Sequence, residues 1–396
     1  MNVLIVSPWL PHPDIRHAGG QHVWHTVRTL AEREHRVSVL CYGRGETPEQ
    51  VAPLAVVCDQ LAVVTPAYSW QQKLVGLRQG WRTPWRLGRR THHTARAHLR
   101  TICRAVGIDV VHFAWTEMGR YLDAVPPGVG TVLGTLDVEY VVRPRELALY
   151  PPGGAKLRAA RRTRHLVRAE QRYVRAADVT LACSEADREC LLRLAPNARV
   201  HVITPWIDLD AVRNVIPQPV PGRLVFMGAL DRIANVAAAE FLIDDVWPLV
   251  RNSHPDAALR IVGAFPPDSL LMQAQSDPHL TVTGFVPDLA AEWAAADVAV
   301  CPSLIGGGLL IKVAQAMAAG CPVVTTPNGN AGVNAPDGAI VVAGDGAAFA
   351  EAVLRLLGDR AYRAAVAAAG REYALWAFDW AESMRRLEAA YHTAIL

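Results

Sequence analysis

The sequence has no run of about 18 uncharged apolar residues, the length a membrane-crossing helix needs. The longest candidate, near 293–311, is broken by Asp297, Pro302 and three glycines. Cysteine is sparse: seven residues, an odd number, lie at 41, 58, 103, 183, 190, 301 and 321 with no C-x-x-C pair among them. That pattern excludes a disulfide framework and a thiolate zinc site, and it points to reduced thiols in the cytoplasm. No unit of 20–50 residues recurs, so a solenoid or propeller is excluded. The opening Met1-Asn2-Val3-Leu4-Ile5-Val6 lacks a basic segment before its apolar run and turns at Pro8, so no secretory leader is expected.

Apolar residues make up 51% of the chain and charged ones 19%, which rules out a disordered or fibrous class. A chain of 396 residues is too long for one ordinary core and reads as two domains of about 200 residues each. Net charge is +3, unevenly spread. Residues 1–210 hold 28 Lys/Arg against 19 Asp/Glu, and the remainder holds 12 against 18. A basic first half attracts phosphates, an anionic acceptor or an anionic membrane surface; it also fits a plain solvated arginine-rich face. Lys73–Arg104 concentrates the feature, with nine Lys/Arg, no Asp or Glu, and Trp81, Trp85 and Leu87 interleaved. It reads as an interfacial helix on the inner membrane face, as a lid over an acidic acceptor, or as a solvated helical arm. No nucleic-acid recognition module accompanies the charge, so nucleic acid is not an expected partner.

Short β-branched runs alternate with Ala/Leu-rich helical segments, the mark of a parallel α/β sheet. Strands are expected at 2–7, 36–41, 54–64, 109–113, 130–135, 178–183 and 199–203. In the first half Gly19-Gly20 reads as a loop opening a helix over 21–34. Pro205–Gly222 holds four prolines and little periodicity and reads as the linker. A second strand set follows at 224–227, 258–262, 280–283, 298–301, 322–325 and 339–342, with helices over 234–252, 289–296, 309–319 and 346–357. Two such domains in tandem, 1–205 and 222–375, place a cleft at the carboxyl ends of their sheets.

The strongest chemical signal is Cys301-Pro302-Ser303-Leu304-Ile305-Gly306-Gly307-Gly308, followed by an expected helix Leu309–Ala319. A strand ends, three glycines let the backbone approach a ligand, and a helix start offers free amides to negative charge. This geometry suits a diphosphate, and Lys312 in the first turn adds a point charge. His22 and His25 lie three residues apart on a helix, but no carboxylate or cysteine pattern joins them, so no metal site is expected.

The run from Pro302 to Val324 and on through "TTPNGNAGV", with "IGGG", a lysine and "QAMAAGCPVV", resembles the donor signature of retaining glycosyltransferases of family 4. "FMGALDRIANVAAAEFLIDDVWPLV" (226–250), "ALRIVG" (258–263), "TVTGFVPDL" (281–289) and "AAADVAVCPS" (294–303) are similar to successive elements of that family's nucleotide-sugar domain. "AGGQHVWHTVRTLAE" (18–32), "IDVVHF" (108–113) and "AADVTLACSEAD" (176–187) are similar to its acceptor domain. The resemblance implies a GT-B fold, two Rossmann-like domains facing a cleft, with a closing helix over 376–396 that returns to the first domain. It implies sugar transfer from a nucleotide-sugar with retention of configuration, without metal or further cofactor. It also implies site residues. Lys312, Arg232 and the amides of Gly306, Gly307 and Gly308 would stabilise the leaving diphosphate. Leu309, Gln315, Phe285 and Val286 would line the rest of the donor. Gly19, Gly20 and His112 would face phosphate or acceptor.

Three positions depart from the family pattern. Gly307 and Gln315 stand where relatives carry glutamates. Leu136 stands where many carry a histidine, which moves the expected substrate contact to Asp137 or Glu139. These departures leave room for a non-catalytic paralogue that acts as a binding or scaffold partner. The acceptor, a small molecule or a lipid-linked saccharide, is not readable from the residues.

Overall fold

The computed structural model describes residues 1–15, 17–43, 45–64, 93–148, 150, 152–305 and 308–396. The chain forms two compact units, Met1–Trp206 with Trp380–Leu396, and Ile207–Asp379. In the first unit, seven strands stand in the order β3-β2-β1-β4-β5-β6-β7. They are β1 (Asn2–Ser7), β2 (Arg36–Tyr42), β3 (Gln60–Val64), β4 (Val110–Phe113), β5 (Gly130–Thr135), β6 (Val179–Ala182) and β7 (Val200–Val202). The pairings are parallel, with Val3 level with Val37 on one side and Val110 on the other. Helices cover both faces, so the strands read as continuous apolar runs rather than alternating ones. One face buries Leu4, Val6, Val111 and Phe113; the other buries Val3, Ile5, Val110 and Val132.

The C-terminal helix Trp380–Ile395 closes that second face with Met384, Leu387, Ala390 and Tyr391, all at most 1% exposed.

The second unit repeats the plan in the order β10-β9-β8-β11-β12-β13. Its strands are β8 (Arg223–Met227), β9 (Ala258–Val262), β10 (Leu280–Val282), β11 (Val298–Cys301), β12 (Val323–Thr325) and β13 (Val341–Val342). Ile207, Leu209 and Val212, from the proline-rich stretch that reads as a linker, are buried in this unit's core beside Val225 and Met227. Arg371 pins the same stretch by donating to the carbonyls of Arg213 and Val215.

Two local expectations change. The strand expected over 54–64 begins only at Gln60, because Pro48–Val57 is a helix. Pro48 occupies its first turn, where a missing N–H costs nothing, and Gln50 turns back to accept the Thr47 N–H at 3.0 Å. Gly19 and Gly20 lie inside a helix, Ala18–Glu32, rather than in a loop before it. His17 caps that helix, its Nδ1 accepting the Gly20 N–H at 3.0 Å. Among the described residues no helix is long and apolar enough to cross a membrane.

Candidate functional site

In the second unit the strand order runs one way from β8 and the other way from β11, so the loops after these neighbours diverge. Such a switch point at the carboxyl edge is where open α/β sheets hold ligands. The β8 loop carries Gly228 to Arg232, and Arg232 sits exposed at the start of the helix Ile233–Phe241. The β11 loop leads to Gly308 and the helix Ile311–Ala318, whose N-cap Leu310 has no side-chain acceptor to occupy the first amides. Gly308 has φ +73, a conformation that suits glycine.

Lys312 ties the two loops together. Its Nζ donates to Asn235 Oδ1 at 2.9 Å and lies 4.2 Å from the centre of the Phe226 ring. Its pKa is lowered to about 8, chiefly by burial; Cys301 acts the other way, and the Arg232 guanidinium adds to the lowering. A partly buried ammonium beside a second cation is a poor place for positive charge and a good one for an arriving anion.

The β12 loop braces this arrangement. The Thr326 hydroxyl donates to the Ser303 carbonyl at 2.8 Å and accepts the Ser303 N–H at 3.0 Å and the Gly329 N–H at 3.3 Å. Asn328 Nδ2 reaches the Ser303 hydroxyl at 2.9 Å. Gly332 touches the Gly308 carbonyl so closely that a Cβ there would lie 2.0 Å from its oxygen.

Leu309 and Val286 pack partly buried against the core of the unit, Gln315 is partly exposed on the helix Ile311–Ala318, and Phe285 is 70% exposed on the β10 loop. Gly306 and Gly307 lie outside the described residues. The structure thus joins Lys312, Arg232 and Gly308 at one edge.

The residues expected in the first unit are less united. Gly19 packs against Trp115 and Leu136; a Cβ would fall 2.2 Å from Trp115 Cη2 and 3.1 Å from Leu136 Cδ1. A Cβ on Gly20 would meet Ile15 at 2.3 Å. Trp9, His17 and Trp115 form an edge-to-face cluster at the switch between β1 and β4, with Trp9 and Trp115 centroids 4.5 Å apart.

His112 is turned inward instead. It is 4% exposed, with Nδ1 2.8 Å from the Tyr391 hydroxyl, and burial lowers its pKa to about 3. Its contacts are those of a core residue. Glu139 is held in an ion pair with Arg143, which also reaches Glu146 at 2.6 Å. Asp137 is exposed just before the helix Glu139–Ala148. The buried Glu170 holds the first turn of that helix: it accepts the N–H of Glu139 at 2.9 Å and of Tyr140 at 2.7 Å. Burial pushes its carboxyl up to about 8 against the pull of those two donors. His22 and His25 serve the chain itself. His22 Nδ1 accepts the Trp206 N–H at 3.1 Å, and His25 stacks on the Trp206 ring at 3.5 Å.

Sequence reading missed Asn235, Thr326 and Glu170. Thr326-Pro327 carried a usable signal, a capping residue followed by proline at the first helical position. Asn235 and Glu170 carried none, because each acts on residues far away in sequence.

Two family models match. The model described as Glycosyltransferase Family 4 covers residues 19–211, and the one described as Glycosyl transferases group 1 covers residues 221–359. The D-inositol 3-phosphate glycosyltransferase 1 of Catenulispora acidiphila is 28% identical, over 99% of this chain and 94% of that protein. A GDP-mannose-dependent alpha-(1-6)-phosphatidylinositol monomannoside mannosyltransferase of Mycolicibacterium smegmatis is 36% identical, over 48% of this chain and 56% of its own length. Among solved structures, sucrose-phosphate synthase from Thermosynechococcus elongatus aligns over 99% of this chain and 98% of that one, with TM-score 0.72 and 17% identity. Anabaena HepE in complex with UDP aligns over 99% and 100%, with TM-score 0.67 and 14% identity.

Proposed function

We propose that this chain, which the family 4 and group 1 glycosyltransferase models match, transfers a sugar from a nucleoside-diphosphate donor to a hydroxyl acceptor with retention of configuration. The observation that carries this reading is Lys312, a partly buried ammonium fixed by Asn235 at the switch point of the second sheet, beside Arg232. As the sugar–phosphate bond breaks, negative charge grows on the diphosphate. Lys312, Arg232 and the first amides of the helix Ile311–Ala318 are already placed for it, so little reorganisation is needed at the moment of reaction. The relatives whose names specify a donor use GDP-mannose, and the HepE structure holds UDP. Both are consistent with a nucleotide at this edge.

Donor hydrolysis and transfer measured with UDP-, GDP- and dTDP-sugars test the assignment, and the anomeric proton signal of the product reports retention. Absence of turnover and of any thermal shift with all three donors would sink it. We further propose that the two cations replace a metal, so chelator leaves the rate unchanged. A scaffold role predicts instead that Lys312→Ala preserves cellular function. The membrane reading of 73–104 rests on sequence charge alone, since within it only the helix from His93 onward is described, and there Arg96 pairs with Asp123 at 2.8 Å. Co-sedimentation with anionic vesicles, lost on neutralising those arginines, is its test.

A further inference from the structure

The helix Gly154–Ala176 is longer than the sheet it packs on. Its 23 residues span about 34 Å, whereas the neighbouring strands β5 and β6, of six and four residues, span about 20 Å and 13 Å. It ends just before β6 starts, at the amino edge, so its excess length stands beyond the carboxyl edge. Burial follows that division. Leu166, Ala169, Glu170, Tyr173 and Val174, all in its second half, are buried, and none of Gly154–His165 is. The helix Glu139–Ala148 leaves the carboxyl end of β5 with its first amides on Glu170, and only residues 149–153 separate it from Gly154. It therefore runs back along that first half, and the two form a projecting helical hairpin.

The hairpin shows positive charge to solvent. Residues 139–176 hold ten Lys/Arg against three Asp/Glu. None of the three acids offsets the outer face, since Glu139 and Glu146 pair with Arg143 and Glu170 is buried. Arg158, Arg161, Arg164, Arg168, Arg172 and Arg175 are exposed and recur every three or four residues, so they form one stripe. Among the described residues no carboxylate pairs with any of them. Like charges at this spacing weaken a helix, so the stripe runs against local stability. Leu157 falls on the same stripe, one turn before Arg161, and is 58% exposed; Tyr150, between the helices, is 42% exposed. A dissolved polyanion offers these two side chains nothing, whereas a bilayer takes apolar groups into its headgroup layer and binds guanidinium groups at its phosphates. We propose that the exposed face of this hairpin docks on an anionic lipid bilayer, with Leu157 and Tyr150 entering the headgroup layer and the arginine stripe lying on lipid phosphates. The proposal uses none of the charge in 73–92 and stands independently of that reading. Docking brings to the bilayer the sheet edge that carries Leu136 and Asp137.

The test is sedimentation of the full chain with vesicles of phosphatidylglycerol mixed with phosphatidylcholine, and with phosphatidylcholine alone. Wild type is expected to sediment with the first and not the second, and less so as salt is raised. Each arginine near such a surface contributes about fivefold to partition. The triple variant Arg158→Gln, Arg161→Gln, Arg164→Gln is therefore expected to lose about 100-fold, and Leu157→Ser with Tyr150→Ser about tenfold. Both are expected to keep the wild-type Tm and the wild-type rate of donor hydrolysis without vesicles, which separates docking from folding. A triple variant that sediments like wild type overturns the proposal and leaves the reading of 73–104 standing. A Leu157→Ser, Tyr150→Ser variant that sediments like wild type, in a chain that binds soluble polyglutamate equally well, overturns the bilayer as the occupant. Wild type that stays in the supernatant with anionic vesicles overturns both membrane readings while sparing the donor assignment.

Discussion

At the scale of single residues, the Lys312 ammonium is held with its charge only half-accommodated. In the free protein its pKa is lowered to about 8, chiefly by burial. A bound diphosphate favours the charged form and raises that value again. Above pH 8, binding must therefore take up a proton, and the Kd for UDP or GDP should rise by up to about tenfold per pH unit while remaining flat below pH 7.5. Titrations in buffers of different ionisation enthalpy measure the proton directly; a Kd that stays level from pH 7 to 9.5 rules out Lys312 as a phosphate contact. The contact between Lys312 and Asn235 spans 77 residues, which is why the lysine was legible from its place after the glycines and its anchor was not. Glu139 teaches the converse. Its place beside Leu136 marks it as a substrate contact, but the sequence does not show that Arg143, one turn on, already holds its carboxylate.

Among elements, the β12 loop governs the donor loop through one hydroxyl and one glycine. Thr326→Val removes three hydrogen bonds to Ser303 and Gly329 and should cost roughly 2–3 kcal/mol in chemical denaturation. Gly332→Ala is the sharper probe. The residue has an ordinary helical φ of −87, so the backbone tolerates alanine, but the added Cβ meets the Gly308 carbonyl. The donor loop must shift, and kcat/KM should fall about 100-fold with only a small change in Tm. An unchanged kcat/KM would detach this loop from catalysis. The strands themselves were legible because parallel sheets covered on both faces need unbroken β-branched runs. The helix Pro48–Val57 was not, because Val51, Leu54, Val56 and Val57 look like the start of the following strand. What separates them is a cap at Thr47 and Gln50, a pairing that periodicity does not weigh.

Over the whole molecule, the two units carry different buried titratable groups, and this fixes how each responds to pH. In the first unit burial holds His112 at about 3 and His22 at about 4, so both stay neutral when folded and take up protons near 6.5 when unfolded. Their contribution is present above pH 6.5 and is lost as pH falls toward 4. Glu170 acts in the other direction. Its folded pKa is raised to about 8, so between 4.5 and 8 the folded state binds a proton that the unfolded state does not. From pH 6.5 down to 4.5 the unfolded chain therefore binds two protons on histidine against one on Glu170. Stability of this unit should fall by about 1.4 kcal/mol per pH unit on acidification. Above pH 6.5 only Glu170 titrates and the slope reverses, which places the optimum near neutrality. In the second unit Lys312 dominates. Its folded pKa is depressed, so stability rises as pH passes 8, until above pH 9 Cys301 and Cys321 oppose it, their thiols pushed up to about 12 by burial. Scanning calorimetry from pH 4.5 to 9 should resolve two transitions, the first unit's moving to lower temperature on the acid side while the second's holds. Glu170→Gln removes the opposing proton, so the acid slope of the first transition should steepen to roughly twice its wild-type value. A slope unaltered by that substitution means that Glu170 is ionised in the folded protein, its two backbone donors outweighing its burial.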